Sequence, residues 1–243
     1  MVFGLSPKLR FVCIDIQFDE VYFAVVRKVG DFFEIDFTER VQIEGGIFEE
    51  SRLRTPGKVR DVLQVIHKKF GALSVLASVP EHFCYAALLP SETYSSTRQI
   101  QNEVSTLVST SSYVWMSTFQ KNTSSYMALH AAEKEACNTL YTLIKTAGFN
   151  TVAIYPRALV LSELAVTAEA LVCDFGRKQT ALFSMHHTYT VGFSLVPYGV
   201  DWLHEKVKNR FSLDAGEVQE VLTAYGTDVL PRKEGHLVHG IVH

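Results

Sequence analysis

The sequence predicts an α/β protein of two related lobes, the first carrying a small inserted α+β unit. Three observations lead there. The first 80 residues read as three strands, a helix and a strand; residues 81–155 change to a shorter alternation of strands and helices; and the hairpin plan that opens the chain returns after residue 168. At 243 residues and 47% hydrophobic, the chain can bury a sizeable core in one large or two small domains.

"RFVCIDIQ" and "EVYFAVVRKVGDFFEIDFTERVQI" are rich in β-branched and aromatic residues and give three consecutive strands, with Gly30-Asp31 as a hairpin turn. "TPGKVRDVLQVIHKKFG" is an amphipathic helix with Thr55 at the N-cap and Pro56 in the first turn. Its buried stripe is Val59, Val62, Leu63, Ile66 and Phe70. "LSVLASVP" follows as a buried strand ending at Pro80. In the insertion, "CYAALLP" reads as a strand, "STRQIQNEVSTLVST" as a helix, and "SYVWMSTFQ" and "SYMALHAA" as paired strands. "EKEACNTLYTLIKTAGFN" is a helix closed by Gly148, and "TVAIY" a last strand.

Residues 156–168, "PRALVLSELAV" and its continuation, form a helix returning to the first lobe, and the second lobe spans 169–243. It opens with "LVCDFGRKQTALFSM", a buried strand, a polar turn and a second strand. "TYTVGFSLVPYG" and the helix "DWLHEKVKNRF" come next, with Trp202, Leu203, Val207 and Phe211 facing inward. A further helix, "AGEVQEVLTAYG", begins behind Asp214 with Glu217 three residues on, the pattern of a capping box.

Composition excludes several classes of function. A formal net charge of −3 offers no basic surface for nucleic acid. No run approaches the ~18 apolar residues of a membrane span, and the first residues lack the apolar core of a secretory signal. Cys13, Cys84, Cys137 and Cys173 are far apart, without metal or disulfide spacing, and read as free thiols of a reducing cytoplasm. No G-x-S-x-G is present for nucleophilic catalysis. His186-His187 read as solvated turn residues, and the pairs Phe32-Phe33 and Tyr113/Trp115 as core and cross-strand packing. His236, His239 and His243 would share one face of a helical tail, either as a zinc set or as residues of a frayed end.

The repeat carries the functional reading. "VCIDIQFDEVYFAVV" and "VCDFGRKQTALFSM" both run hydrophobic strand, Asp, short turn, hydrophobic strand, and Asp15 aligns with Asp174. Such hairpins suggest a duplicated RNase H-like unit, in which two turns face one another across a cleft and grip the phosphates of one nucleotide. The landmarks "FVCIDI", "LASVPEHFCYAALLP", "AAEKEACNTLYTLIKTAGFNTVAIYPRALVLSELA", "LVCDFGRKQTALFSM", "LVPYGVDWLHEKV" and "LDAGEVQEVL" then follow in order. In their order and spacing the chain resembles the PilM family, actin-like proteins of type IV pilus assembly akin to the division protein FtsA.

That resemblance implies an actin-like fold whose second lobe is incomplete at His243, so that the chain is expected to be a fragment or a truncated gene product. It assigns a nucleotide site to Asp15, Asp174, Gly176, Thr180 and Gly199. The first turn departs from the family: Gln17 replaces a glycine, Phe18 adds bulk, and Asp19 and Glu20 bring negative charge. In the second turn Arg177 and Lys178 favour an anion, but Tyr198-Gly199-Val200 stands for paired glycines and Val221 for a lysine. Asp15 and Asp174 are open to two readings, as ligands of magnesium or as caps of their own turns. The expectation is therefore no cofactor or weakly bound magnesium-ATP, and a pseudo-ATPase without catalytic residues. The alternative is an active actin-like ATPase or a sugar-kinase-like phosphotransferase, which needs an intact first turn. A nuclease of the RNase H type needs a carboxylate cluster for two metals.

The resemblance also implies a partner. Members of the family hold the cytoplasmic N-terminal segment of PilN, a membrane-anchored pilus protein, in a groove between the first lobe and the insertion. The strand "CYAALLP" and the helix "STRQIQNEVSTLV" are expected to line it, with Tyr85, Leu88 and Ile100 as apolar contacts or, equally, as residues of the insertion's own core. The chain would be cytoplasmic, peripheral at the inner membrane, and would meet other pilus platform proteins.

Overall fold

Hydrophobic alternation in the first 42 residues makes a meander of β1 (Arg10–Ile16), β2 (Glu20–Val29) and β3 (Phe32–Gln42). The computed structural model describes residues 9–17, 19–49, 52–91, 96–107, 111–121, 124–162, 169–186 and 189–225. It divides into two units, residues 1–171 with 183–193, and residues 172–182 with 194–243.

In the first unit β6 (Ser74–Val79) and β10 (Asn150–Pro156) join the meander in the order β10-β6-β1-β2-β3, with β6 parallel to β1 and β10 parallel to β6. One face of this sheet carries α1 (Pro56–Phe70) and α3 (Lys134–Thr146). Val59, Leu63 and Ile66 of α1 are buried, each worth about 1.5–3 kcal/mol of transfer free energy. Val12, Ile14, Val21, Phe23 and Val25 meet them from the strands. Thr55 does not cap α1 with its side chain: its hydroxyl donates to the Gly46 carbonyl at 2.9 Å and pins the preceding loop. That loop contains two short strands, β4 (Phe48–Glu49) and β5 (Arg52–Leu53). Gly148 closes α3 at φ 102°, and a β-carbon there would lie 2.9 Å from the His67 ring.

Phe32 and Phe33 are not core residues. They are 77% and 54% exposed, and Ile35 is 67% exposed. For Phe33 and Ile35 the register explains it: Val25 faces Phe37 but Val26 faces Ile35, so Asp36 is an extra residue that reverses the alternation, while Phe32 lies at the strand's first position. Phe37 packs inward beside Phe23 and Phe70, whereas Phe33 makes an edge contact with Phe11.

The insertion is a sheet of β7 (Cys84–Pro90), β9 (Ser124–Glu133) and β8 (Ser112–Lys121), in that order, with α2 (Thr97–Leu107) against it. Leu89, Ile100, Val104, Met127, Leu129 and Ala131 form its cluster. Ala132, with the partly buried Cys84 and Trp115, joins the main core. His130, 1% exposed, lies between Ala86 and Trp115 in register, and neither ring nitrogen has a hydrogen-bond partner among the described residues. Burial lowers its pKa to about 4, and does the same to His82, whose ring packs against Phe48 and Phe83.

After α4 (Arg157–Ser162) come β11 (Glu169–Phe175), β12 (Thr180–His186) and β13 (Tyr189–Val196), a sheet in that order. β11 is not buried throughout: its alternate residues Leu171, Cys173 and Phe175 are exposed, so one face of this strand is open to solvent. His186 is not a solvated turn residue either. β12 runs through it, leaving it 7% exposed beside the Phe119 ring, with Nδ1 3.7 Å from Glu169; His187 lies outside the described residues.

In the second unit α5 (Val200–Phe211) buries Val207, and Trp202, Leu203 and Phe211 are half-buried. α6 (Ala215–Tyr225) starts with the expected capping box: Asp214 N–H donates to Glu217 Oε2 at 2.7 Å, and Glu217 N–H to Asp214 Oδ1 at 2.9 Å. His236, His239 and His243 lie outside the described residues. Among the described residues, no helix is long and apolar enough to cross a membrane.

The two buried histidines make the fold acid-sensitive. Each titrates near 6.5 when unfolded and near 4 when folded, so the unfolded chain binds more protons between those values. Their contribution is whole above pH 6.5 and falls by up to about 1.4 kcal/mol per pH unit for each histidine as pH drops from 6.5 towards 4. Denaturant unfolding at neutral and at mildly acidic pH should show a larger loss for the native chain than for His82→Phe/His130→Phe; equal losses would contradict it.

Candidate functional site

Asp15 sits next to the end of β1, in register with Tyr22 of β2 and Ser78 of β6. Both oxygens of its carboxylate are engaged. The Ser78 hydroxyl donates to Oδ1, Gln17 Nε2 donates to Oδ2 at 3.1 Å, and Arg157 Nε lies 3.3 Å from Oδ2. Arg157 is the first residue of α4, and its Nη1 donates to Glu81 Oε1 at 3.0 Å. Glu81, 3% exposed, opens the 3-10 turn Glu81–Phe83 between β6 and β7. One guanidinium thus joins two carboxylates from different segments, Glu81 buried and Asp15 partly exposed.

The rest of the first turn is closed too. Gln17 N–H donates to the Glu20 carbonyl at 2.8 Å, and the Asp19 carbonyl accepts from Ile43 N–H at 2.8 Å. Glu20 is 1% exposed; the Tyr22 hydroxyl donates to it at 2.5 Å, and Arg40 Nε lies 3.6 Å away. Phe18 lies outside the described residues.

Asp174, Gly176, Thr180 and Gly199 all fall in the second unit, and Asp15 in the first. The second turn is bound to the start of α5. Val200 N–H donates to the Gly176 carbonyl at 3.1 Å and Asp201 N–H to the Arg177 carbonyl at 3.0 Å, using amides that a helix N-terminus would present to a phosphate. A β-carbon on Gly199 would meet the Gly176 and Arg177 carbonyl oxygens at 2.4 and 2.5 Å, so only glycine fits. Thr180 donates to the Tyr198 carbonyl at 2.6 Å. The two cations expected to favour an anion are held by Asp201, Arg177 Nε at 3.0 Å and Lys178 Nζ at 2.8 Å. Burial alone would raise the Asp201 carboxyl, but the hydrogen bonds from Lys178 and Arg177 outweigh it and hold the pKa below the usual value.

A hard cation needs an available carboxylate oxygen, and phosphates need free donors. In the first turn both Asp15 oxygens already accept hydrogen bonds, and in the second the first amides of α5 are spent on the Gly176 and Arg177 carbonyls, so neither turn presents these particular groups to magnesium or phosphate.

The first unit also holds a groove, whose lining residues the sequence did not reveal. A pocket of about 270 Å³ is lined by Ile16, Phe48, Leu53, Val79, Phe83 and Leu140, among others. A wider one of about 800 Å³ adjoins it, sharing Pro56, Glu133, Glu135, Thr139 and Leu143 and adding Lys134, Asn138 and Thr142. The groove is apolar at one end and polar at the other, between first-lobe elements and the junction of β9 with α3. Tyr85, Leu88 and Ile100 are not among its lining residues. Ile100 is 5% exposed in the insertion's cluster, Tyr85 packs against that cluster, and Leu88 is 36% exposed on β7. β4 and β5 have two residues each, too short to show a period, so Phe48 and Leu53 carried no signal; Glu133 and Glu135 read as an ordinary helix start.

The mixed sheet, the α+β insertion and the second hairpin together define an actin-like α/β fold, as the chain's resemblance implied. Among solved structures, a chain of the PilM–PilN type IV pilus biogenesis complex matches with a TM-score of 0.68 and 14% identity, over 97% of this chain and 74% of that one. The ethanolamine utilization protein EutJ from Carboxydothermus hydrogenoformans matches at 0.55 and 8% identity, over 100% and 68%. The cytoplasmic domain of EpsL, an inner-membrane component of the type II secretion system of Vibrio cholerae, matches at 0.51 and 12% identity, over 85% and 78%. No protein-family model matches the chain, and no curated protein sequence does.

Gly199→Ala should destabilise the chain by about 1–3 kcal/mol, since backbone carbonyls must move to admit the methyl group. Gly192→Ala, with nothing within 4 Å of the added carbon, is the control. Unfolding curves of the two variants compare them, and equal stabilities would contradict the packing described.

Proposed function

We propose that the chain is a scaffold or adaptor of a type IV pilus or related secretion platform, binding the cytoplasmic N-terminal segment of a PilN-like membrane protein in the first unit's groove. The observation that carries this reading is the groove itself: apolar walls for side-chain anchors, and a polar end where a peptide can leave towards solvent. The likeness to a chain of the PilM–PilN complex and to the cytoplasmic domain of EpsL supports it. A partner anchored in the membrane would hold the chain at the inner membrane, on its cytoplasmic side, beside other platform proteins.

In this reading nucleotide is not part of the work. Magnesium-ATP binds no more tightly than the high-micromolar range, about −5 to −6 kcal/mol, and is not turned over. An active ATPase or sugar-kinase-like phosphotransferase requires a first turn open to phosphate, and the Arg157–Asp15 contact opposes it.

Calorimetric titration of the folded chain with a synthetic peptide of the partner's N-terminal segment is the test. Binding should weaken at least about tenfold in Thr139→Trp, which fills the groove where its two pockets meet, with little change in melting temperature. Leu88→Asp, on β7, should bind almost as well as the native chain. Absence of binding by the native chain would end the adaptor reading; loss in Leu88→Asp but not in Thr139→Trp would move the site to β7.

A further inference from the structure

We infer that Arg157 is a resident cation that does the work of a metal–nucleotide in the first unit, holding the groove in its binding shape without any ligand. The inference rests on the groove being the peptide site, and it concerns how that site is kept in order.

Three segments converge on this side chain. Asp15 comes from the end of β1, Glu81 from the 3-10 turn after β6, and Arg157 from the junction of β10 with α4. The guanidinium spans the two acids at 3.3 and 3.0 Å, with 13% of its side chain exposed against 28% for Asp15 and 4% for Glu81. Ser78 and Gln17 supply further hydrogen bonds to Asp15, so the carboxylate is satisfied by the protein alone. A divalent cation joins carboxylates in the same way but comes and goes with its ligand. Arginine stays charged at every accessible pH and cannot dissociate.

The cluster is continuous with the groove wall. Ile16 follows Asp15, Pro80 precedes Glu81, and Phe83 ends the same short turn; all three line the apolar pocket. Fixing Asp15 and Glu81 on one rigid fork therefore fixes the backbone that presents these walls. A site of this kind is set once, on folding, and has no second state for a nucleotide to select.

Melting curves and peptide titrations, each with and without magnesium and magnesium-ATP, test the inference. The native chain should show no shift in melting temperature with either addition and less than about a twofold change in peptide affinity. Arg157→Gln should melt lower by roughly 6 °C or more, because the buried Glu81 and the partly buried Asp15 lose their counter-ion, and should bind the peptide at least about tenfold more weakly. If that variant does not fold, Asp15→Asn/Glu81→Gln/Arg157→Met, which removes the charges together, should fold and show the weakened binding. A magnesium-ATP-dependent rise in the native chain's melting temperature, or an Arg157→Gln variant that melts with the native chain, would overturn the inference. Failure of the adaptor reading is seen separately, as absence of peptide binding by the native chain, and leaves the melting experiment readable.

Discussion

A carboxylate taken out of water must be met by an opposite charge or by several hydrogen bonds, and around Asp15 and Glu81 one guanidinium meets that demand for both. The arrangement ties β1, the turn after β6 and the start of α4 to a single rigid group. The backbone on either side forms a wall of the groove, and the same contacts engage both oxygens of Asp15 within the protein. Losing one partner of such a buried cluster costs about 3–5 kcal/mol, a large part of the stability of an ordinary domain. On the inference drawn from Arg157, the first unit would hold one shape where an actin-like fold could have kept a movable, ligand-dependent one.

The second unit reaches a similar end by different chemistry. Its turn keeps Gly176, Thr180 and Gly199, but each serves the packing of the turn on α5: carbonyls accept from helix amides, the threonine accepts a structural role at Tyr198, and the glycine leaves room for two carbonyl oxygens. Arg177 and Lys178 neutralise Asp201. Residue identities that suit phosphate binding also suit a tight hairpin against a helix, which is why identity alone did not separate the two.

Local signals were legible in the sequence where local energetics decide the outcome. The meander, the stripe on α1, the glycine closing α3 and the Asp214–Glu217 capping box depend on neighbours within a few residues, and all were readable from spacing. What was not legible depends on distant partners or on register. Arg157 meets Glu81 across 76 residues, with no motif to announce it. One extra residue at Asp36 turned Phe33 and Ile35 out of the core, and one aromatic ring, Phe119, turned His186 from a solvent residue into a buried one. Thr55 has the side chain of a helix cap but spends it on the loop before the helix. The actin-like fold could be read from the order of short landmarks, whereas the residues that line the groove, on two-residue strands and a strand–helix junction, could not.

A peptide seated in that groove would cover backbone from the β4–β5 hairpin, the turn after β6 and the first half of α3, and no backbone of the second hairpin. Amide hydrogen exchange with and without the synthetic N-terminal peptide reads this directly. The account predicts slower exchange confined to residues 48–56, 80–83 and 133–143, and none at 174–181 or 199–203. Protection centred on residues 174–181 and 199–203, with 48–56 and 133–143 unchanged, would contradict it.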